Sequence, residues 1–277
     1  AAKRRNIGLN ENLARELIEL HSLGVGGRYT QSDVRDLALA LTGLSVSPEQ
    51  GFVYRAGLAE PGPVQVLGHE ITARGPDRAR QIAKILAHHP DTGRHLAQKL
   101  AVHFVGPEGT DGLANTLAQR FARSDGDLGA VVEGLLAHPS AKAPLGAKMR
   151  TPFEFMVASA RALGLEPARL DSLGPRDMNR GLVAPLTRMG QAPLRPTGPD
   201  GWSEEASHWI TPATLAARLN WATSLAEDQA ERVSPTQARQ EVLGAAASPA
   251  LTFAMEGAES RAVALTYLLA SPEFNRR

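Results

Sequence analysis

Apolar residues recur along most of the chain at the three- and four-residue spacing of amphipathic helices. The first such stripe consists of Leu13, Leu17 and Leu20. Four segments begin with a Ser/Thr-Pro pair, in which the hydroxyl can cap a helix while proline, which has no N–H, fits the first turn. These pairs are Thr151-Pro152, Thr211-Pro212, Ser234-Pro235 and Ser248-Pro249. The pattern predicts an all-α protein of about ten helices.

Further helix boundaries are marked by polar caps and by glycines. Polar residues that can accept a hydrogen bond from a free backbone N–H precede three more helices. They are Asn10 before Glu11–Leu23, Thr30 with Asp33, and Ser124 with Asp127. Glu154 and Gln237 stand three residues after Thr151 and Ser234, so each is expected to complete a capping box. The predicted helix ends are Gly24, Gly43, Gly106, Gly164 and Gly190.

A short interruption of the helical pattern carries β-prone residues. The pieces Phe52-Val53-Tyr54 and Val64-Gln65-Val66-Leu67 are separated by the turn-rich stretch Gly57–Pro63. We therefore expect a small β-hairpin near residues 51–68, inserted into the helical fold.

A second interruption, Gln191–Gly201, holds three prolines and two glycines, which is too much for a regular element. It divides the chain into a main helical domain, residues 1–190, which carries the hairpin, and a C-terminal helical segment, residues 191–277. A chain of 277 residues is near the size at which a single hydrophobic core stops growing. We therefore expect the two parts to pack on one core as a continuous domain.

Composition narrows the functional classes. The chain has 30 Lys and Arg against 29 Asp and Glu, so no strong overall charge favours nucleic acid, and we expect no nucleic-acid partner. No stretch is apolar for the roughly 18 residues that a membrane span needs. The absence of cysteine excludes disulfides, thiolate metal sites and a cysteine nucleophile.

The densest polar grouping lies on the first predicted helix. Glu16 and Glu19, three residues apart on one face, could bind one metal ion or share one proton. His21 points away from both, so the two-histidine zinc pattern does not apply. The alternative is a structural ladder of ion pairs along the helix. With one carboxylate from the hairpin, the candidate polar site is Asn10, Glu11, Asn12, Arg15, Glu16, Glu19, His21 and Glu60.

Two further features bear on possible chemistry. Asp91, His95, Lys99 and His103 form a stripe at four-residue steps that could bind anions, although a solvated helix surface explains it as well. The glycines of Gly24–Gly27 follow a helix rather than a strand, so they indicate a helix exit and turn instead of a nucleotide cradle.

Three tryptophans, Trp202, Trp209 and Trp221, lie near the proline-rich excursion, where aromatic rings could stack on a ligand. Trp202 and Trp209 are candidate binding aromatics, because indole rings can stack on a sugar or peptide ligand. The alternative is that both rings anchor the excursion to the helices.

The run NENLARELIELHSLGVGGRYTQSDVRDLALALTG (residues 10–43) resembles the hallmark of the bacterial family called domain of unknown function 1800. The resemblance continues through HLAQKLAVHFV (95–105), KMRTPFEFMVASARALG (148–164), PDGWSEEASHWITPATLAARLNWA (199–222) and AESRAVALTYLLASPEFNRR (258–277). It covers essentially the whole chain.

The resemblance implies a location and partners but no activity, cofactor or metal. Members of the family are longer at the N-terminus and often begin with an export signal, so the chain resembles a C-terminal portion of a periplasmic or secreted protein. Implied partners are its own N-terminal portion and a phosphatase-like secreted protein. Our leading hypothesis is a binding or accessory protein that acts with a partner on an envelope or extracellular polymer. The alternative is a metal-dependent or carboxylate-based hydrolase, with its site on the 10–21 helix and the hairpin.

Overall fold

The computed structural model describes residues 9–108, 110–142 and 148–277. The chain is predominantly helical, as predicted, and it divides into two compact units. The first unit comprises Ala1–Phe104 and Gly109–Lys142, and the second comprises Val105–Glu108 and Ala143–Arg277. The expectation of one continuous domain, with a segment boundary at residue 190, stays a prediction.

The first unit contains six helices and four short strands within its described residues. They are α1 (Asn12–Glu19), α2 (Gln31–Leu41), β1 (Leu44–Ser47), β2 (Gly51–Tyr54), β3 (Gln65–Val66), β4 (His69–Glu70), α3 (Asp77–His88), α4 (Pro90–Phe104), α5 (Asp111–Arg123) and α6 (Leu128–Ala137). The apolar stripes of α1, α2 and α3 close on a core that includes Ile18, Leu37 and Ile82. This core holds the end of α1 against α2.

The predicted hairpin region forms two hairpins instead of one. β2 contains the expected Phe52–Tyr54 piece but pairs with β1, which precedes it, in the register Val46↔Phe52. β3 pairs with β4 across Leu67 and Gly68, both at positive φ, the conformation of a tight two-residue turn. Each β-prone piece therefore pairs with its nearest neighbour in sequence, since short loops are the cheapest to close.

The second unit contains ten α-helices within its described residues. They are α7 (Pro152–Ala162), α8 (Pro167–Asp171), α9 (Pro175–Met178), α10 (Ala184–Arg188), α11 (Ala206–Trp209), α12 (Pro212–Gln229), α13 (Pro235–Val242), α14 (Pro249–Glu256), α15 (Arg261–Ala270) and α16 (Pro272–Asn275). A π-helical turn, Asn179–Val183, joins α9 to α10 without a break. The core includes Phe155, Leu265 and Phe274 and shares no buried residue with the core of the first unit.

A buried arginine on α12 contacts several other segments of the second unit. Arg218 on α12 is 1% exposed, donates from Nη1 to Asn275 Oδ1 at 3.2 Å, and donates from Nη2 to the carbonyl of Arg150 at 2.7 Å. Its guanidinium lies 5.1 Å from the centre of the Phe155 ring. Burial lowers the pKa of Arg218 to about 10, which leaves it charged at neutral pH.

The Ser/Thr-Pro pairs cap α7, α12, α13 and α14 as predicted. Thr151 and Glu154 form the predicted capping box, but Gln237 does not complete one with Ser234. The Gln237 amide instead donates to Glu241 Oε1 at 2.7 Å, one turn further along α13. The Gln237 side chain is therefore bonded within α13 and not to the backbone at the cap.

Two helix starts differ from the prediction. Asp127, rather than Ser124, caps α6 by accepting the Gly129 N–H at 2.7 Å. Asn10 lies two residues before the start of α1, one residue ahead of the cap position Glu11, and its Oδ1 accepts the Asn12 N–H at 3.0 Å. Among the described residues, no helix is long and apolar enough to cross a membrane.

Candidate functional site

The polar face of α1 is a hydrogen-bonded network. Glu19 Oε1 accepts the Tyr29 hydroxyl at 2.6 Å and Arg15 Nη1 at 3.2 Å. The bond to Glu19, followed by burial, raises the pKa of Tyr29, because the carboxylate stabilises the protonated phenol. Glu19 is therefore held by two partners from its own unit.

The same network continues to the start of α2. Arg15 Nη2 donates to Gln31 Oε1 at 2.5 Å, and Gln31 Nε2 donates to Glu11 Oε2 at 2.5 Å. Gln31 thereby links Glu11 to Arg15, which pairs with Glu19. Of the structural ladder considered for this helix, the Arg15–Glu19 ion pair forms, and Gln31 of α2 stands between Glu11 and Arg15.

The other candidate residues of the polar site are more dispersed. Asn12 and His21 are exposed, and Glu16 is half-buried. Glu60 lies in a separate depression beside Arg78, whose Nη1 donates to the Glu60 carbonyl at 3.2 Å, and no residue of α1 lines that depression. Across the part of the chain that the structure describes, no group of three or more His, Asp or Glu is placed to hold a metal ion.

A second polar cluster forms where the glycine-rich turn after α1 meets the start of α4. Asp91 is 5% exposed, and its Oδ2 accepts the Arg28 backbone N–H at 2.8 Å and Arg28 Nε at 3.1 Å. Its Oδ1 accepts Arg28 Nη2 at 3.3 Å and pairs with Arg94 Nη2. A cleft of about 280 Å³ opens here, lined by residues 23–28 and by Asp91, Arg94 and His95.

Two histidines border this cluster. His89 Nδ1 accepts the Asp91 N–H at 3.1 Å, and His95 Nε2 lies 3.4 Å from the carbonyl oxygen of Leu20. Burial lowers the pKa of both histidines, and Arg28 and Arg94 lower the pKa of His89 further. Both imidazoles are therefore neutral at pH 7.

The two candidate tryptophans differ in exposure. Trp209 is 1% exposed, and its Nε1 donates to the Ser203 carbonyl at 2.9 Å, so its ring is enclosed by protein. Trp202 is half-buried, with its ring centre 6.1 Å from that of Trp209. This geometry is that of an anchor for the stretch before α11, and Trp202 alone retains surface for a ligand.

The third tryptophan lines a larger cleft, of about 650 Å³, in the second unit. Trp221 on α12 lines it with the apolar Leu182 and Leu225, and the polar side chains of Asn220 and Ser224 line it as well. Trp221 Nε1 donates to the carbonyl of Gly181 at 3.1 Å, within the π-helical turn. π-Helical turns are rare and are frequent at functional sites, which makes this cleft a candidate ligand site.

The comparison with protein families agrees with the resemblance noted in the sequence. The family model described as protein of unknown function (DUF1800) matches residues 1–276. The chain belongs to the DUF1800 family. No curated protein and no solved structure matches it.

The match of the DUF1800 model extends over both units. The α1 network, the Asp91 cleft and the Trp221 cleft therefore all lie within the region that the family model covers. In this DUF1800 chain, the segment that resembles the family hallmark builds the α1 network and supplies the glycine-rich turn and Arg28 to the Asp91 cleft. Trp221 comes from the segment 199–222, another of the stretches in which the sequence resembles the family.

Sequence reasoning overlooked Arg28 and Arg94 in this DUF1800 protein, and of the three tryptophans it selected Trp202 and Trp209 rather than Trp221. Arg28 and Asp91 are 63 residues apart, so nothing local indicates that they touch. For Trp221 a signal existed. It stands four residues after Ala217 and four before Leu225 on one face of a long predicted helix, where a large aromatic beside Asn220 and Ser224 marks an apolar–polar border.

Proposed function

We propose that this DUF1800 protein is a binding or accessory protein, which holds a polysaccharide of the envelope or extracellular space in the Trp221 cleft and acts there with a partner. The observation that carries the proposal is the cleft itself, which is lined by an aromatic ring and by uncharged polar side chains. A sugar ring has an apolar C–H face and a rim of hydroxyls. The first suits the Trp221 indole and the second suits Asn220 and Ser224.

The aromatic ring in the cleft is preorganised. The Trp221 N–H donates to the Gly181 carbonyl, and the indole packs in a T-shaped arrangement with Phe155, whose ring centre lies 5.8 Å away. A ring that is already fixed loses little conformational entropy when a ligand stacks on it. This favours a binding role that depends on shape and stacking.

A location outside the cytoplasm and a phosphatase-like secreted partner belong to the proposal as well. Their support is the family, whose members often begin with an export signal. The hydrolase alternative has less support, because Glu11 and Glu19 are engaged by Gln31, Arg15 and Tyr29. Glu60 lines a depression to which α1 contributes nothing.

The test is affinity electrophoresis of the full chain through gels that contain peptidoglycan fragments or a neutral glucan. We expect Trp221→Ala to weaken retention by about tenfold, since loss of one stacking ring costs about 1.4 kcal/mol. Phe253→Ala is the matched control, because Phe253 is 80% exposed on α14 in the same unit and does not line the cleft. It should leave retention unchanged.

A second variant guards against loss of folding. Asn220 is exposed on α12, so Asn220→Ala should leave the unfolding transition in place and still reduce retention by severalfold. The proposal fails if the wild-type chain is not retarded by any of the polymers. It fails equally if both cleft variants migrate as the wild type does.

A further inference from the structure

Two arginines converge on one enclosed carboxylate in the first unit. Their side chains are 68% and 58% exposed, for Arg28 and Arg94, whereas Asp91 is 5% exposed. The carboxylate carries one negative charge against two positive charges. Because both histidines beside it are neutral at pH 7, the cluster keeps an excess of one positive charge that faces solvent.

The hydrogen bonds of Asp91 leave the guanidinium groups with donors to spare. Its two oxygens accept the Arg28 N–H, two guanidinium N–H groups of Arg28 and one contact from Arg94. A guanidinium has five N–H donors in a rigid plane, so most of those on Arg94 are not used by Asp91. The carboxylate thus fixes two planar donors in place at the edge of an open cleft.

The cleft has room for a small ligand. Its volume is about 280 Å³, and the turn Gly24–Gly27, in which Gly24 and Gly26 both have positive φ, lines it together with the arginines. Three of these four turn residues are glycines, so they add no side chains that would fill the cleft. Val25, at the lip, is 79% exposed.

We propose that this cleft binds a phosphate group, held by Arg28 and Arg94. Guanidinium groups bind phosphate through paired N–H···O bonds, and groups that are fixed before binding pay less entropy. The inference goes beyond the polysaccharide-binding function and does not depend on it, since the cleft lies in the other unit.

The test is isothermal titration of the full chain with inorganic phosphate at constant ionic strength. We expect saturable binding with a Kd of about 1 mM, typical of one small anion at an open site. Val25→Glu places a carboxylate at the lip without touching the Asp91 bonds, and it should weaken binding at least tenfold by repelling the anion. The matched control is Val46→Glu, because Val46 is 76% exposed on β1 of the same unit and outside the cleft.

Arg94→Gln provides the second arm, with Arg80→Gln on α3 as its control. Arg80 pairs with Asp77 and is similarly exposed but does not line the cleft. Arg94→Gln should reduce affinity at least tenfold and Arg80→Gln by less than twofold. Titration with dimethyl phosphate, a diester, identifies the source of the phosphate group. Tighter binding of the diester than of inorganic phosphate indicates a phosphodiester linkage in a polymer, and tighter binding of inorganic phosphate indicates the free ion. Absence of saturable binding of either probe to the wild-type chain overturns the proposal, as does equal loss in Val25→Glu and Val46→Glu.

Discussion

Gly24 lies in the turn after α1, against His95 of α4, and its lack of a side chain decides how near His95 can lie. It has φ +88°, and an added Cβ would stand 2.7 Å from His95 Nδ1 and 3.3 Å from His95 Cβ. The contact reaches the root of the histidine side chain, so a small rotation of the ring does not relieve it.

The neighbouring glycine allows strain and collision to be separated. Gly26 has φ +85° with nothing within 4 Å of an added Cβ, so Gly26→Ala should cost only the backbone strain, about 1–2 kcal/mol. Gly24→Ala should cost about 2–4 kcal/mol, because the collision with His95 adds to the same strain. Urea unfolding of both variants measures the difference. Equal losses would mean that His95 moves aside freely.

The two histidines at α4 predict how stability depends on pH. Burial lowers the pKa of His89 and His95 in the folded chain, so below about pH 6.5 the unfolded chain binds protons first. The free energy of unfolding should therefore fall as the pH falls from 6.5 toward the lowered values. Asp91, 3.8 Å from His89 Nδ1, does not reverse this effect, because Arg28 and Arg94 already neutralise it.

Urea unfolding at pH 7.5, 6.5 and 5.5 tests this dependence. A chain with both His89→Gln and His95→Gln should lose less stability over that range than the wild-type chain, since neither glutamine titrates. If the two chains lose stability in parallel, other groups account for the acid sensitivity.

At the scale of the helix, local chemistry made the fold predictable. A Ser/Thr-Pro pair caps its own next turn, so the starts of α7, α12, α13 and α14 could be located from two adjacent residues. Where two caps compete within four residues, as Ser124 and Asp127 do, the sequence alone did not choose between them.

Strand pairing shows where local prediction ends. The pieces around Phe52 and Val66 were each recognised as β-prone, but β1 (Leu44–Ser47) was not, since it is short and half polar. A pairing depends on residues elsewhere in the chain, so the partners of β2 and β3 could not be deduced. The candidate site has the same limit. The α1 network includes Tyr29 and Gln31, which are near in sequence, whereas the Asp91 cleft needs a contact across 63 residues.

At the scale of the whole molecule, the two hydrophobic cores have no buried residue in common. We expect each to unfold on its own. Leu37→Ala should destabilise the first unit and Leu265→Ala the second, each by about 2–5 kcal/mol, because both side chains are fully enclosed. All three tryptophans lie in the second unit, so their fluorescence reports that unit alone.

The expected result is that Leu265→Ala lowers the midpoint of the fluorescence transition, whereas Leu37→Ala changes only the transition followed by far-ultraviolet circular dichroism. A fluorescence midpoint lowered equally by both substitutions would instead support the single continuous domain predicted from the sequence.

The π-helical turn Asn179–Val183 makes chain length a determinant of the Trp221 cleft. A π-turn holds one residue more than an α-turn, so a relative shorter by one residue between Pro175 and Ala184 could keep an unbroken α-helix. The residues before the deletion would then rotate by about 100° relative to α10. The residue types that line the cleft could then all be conserved, and yet the Gly181 carbonyl, which accepts the Trp221 N–H, would point in a different direction. Under the proposed function, an insertion or deletion at this turn should therefore change ligand preference even where the residue types that line the cleft are kept.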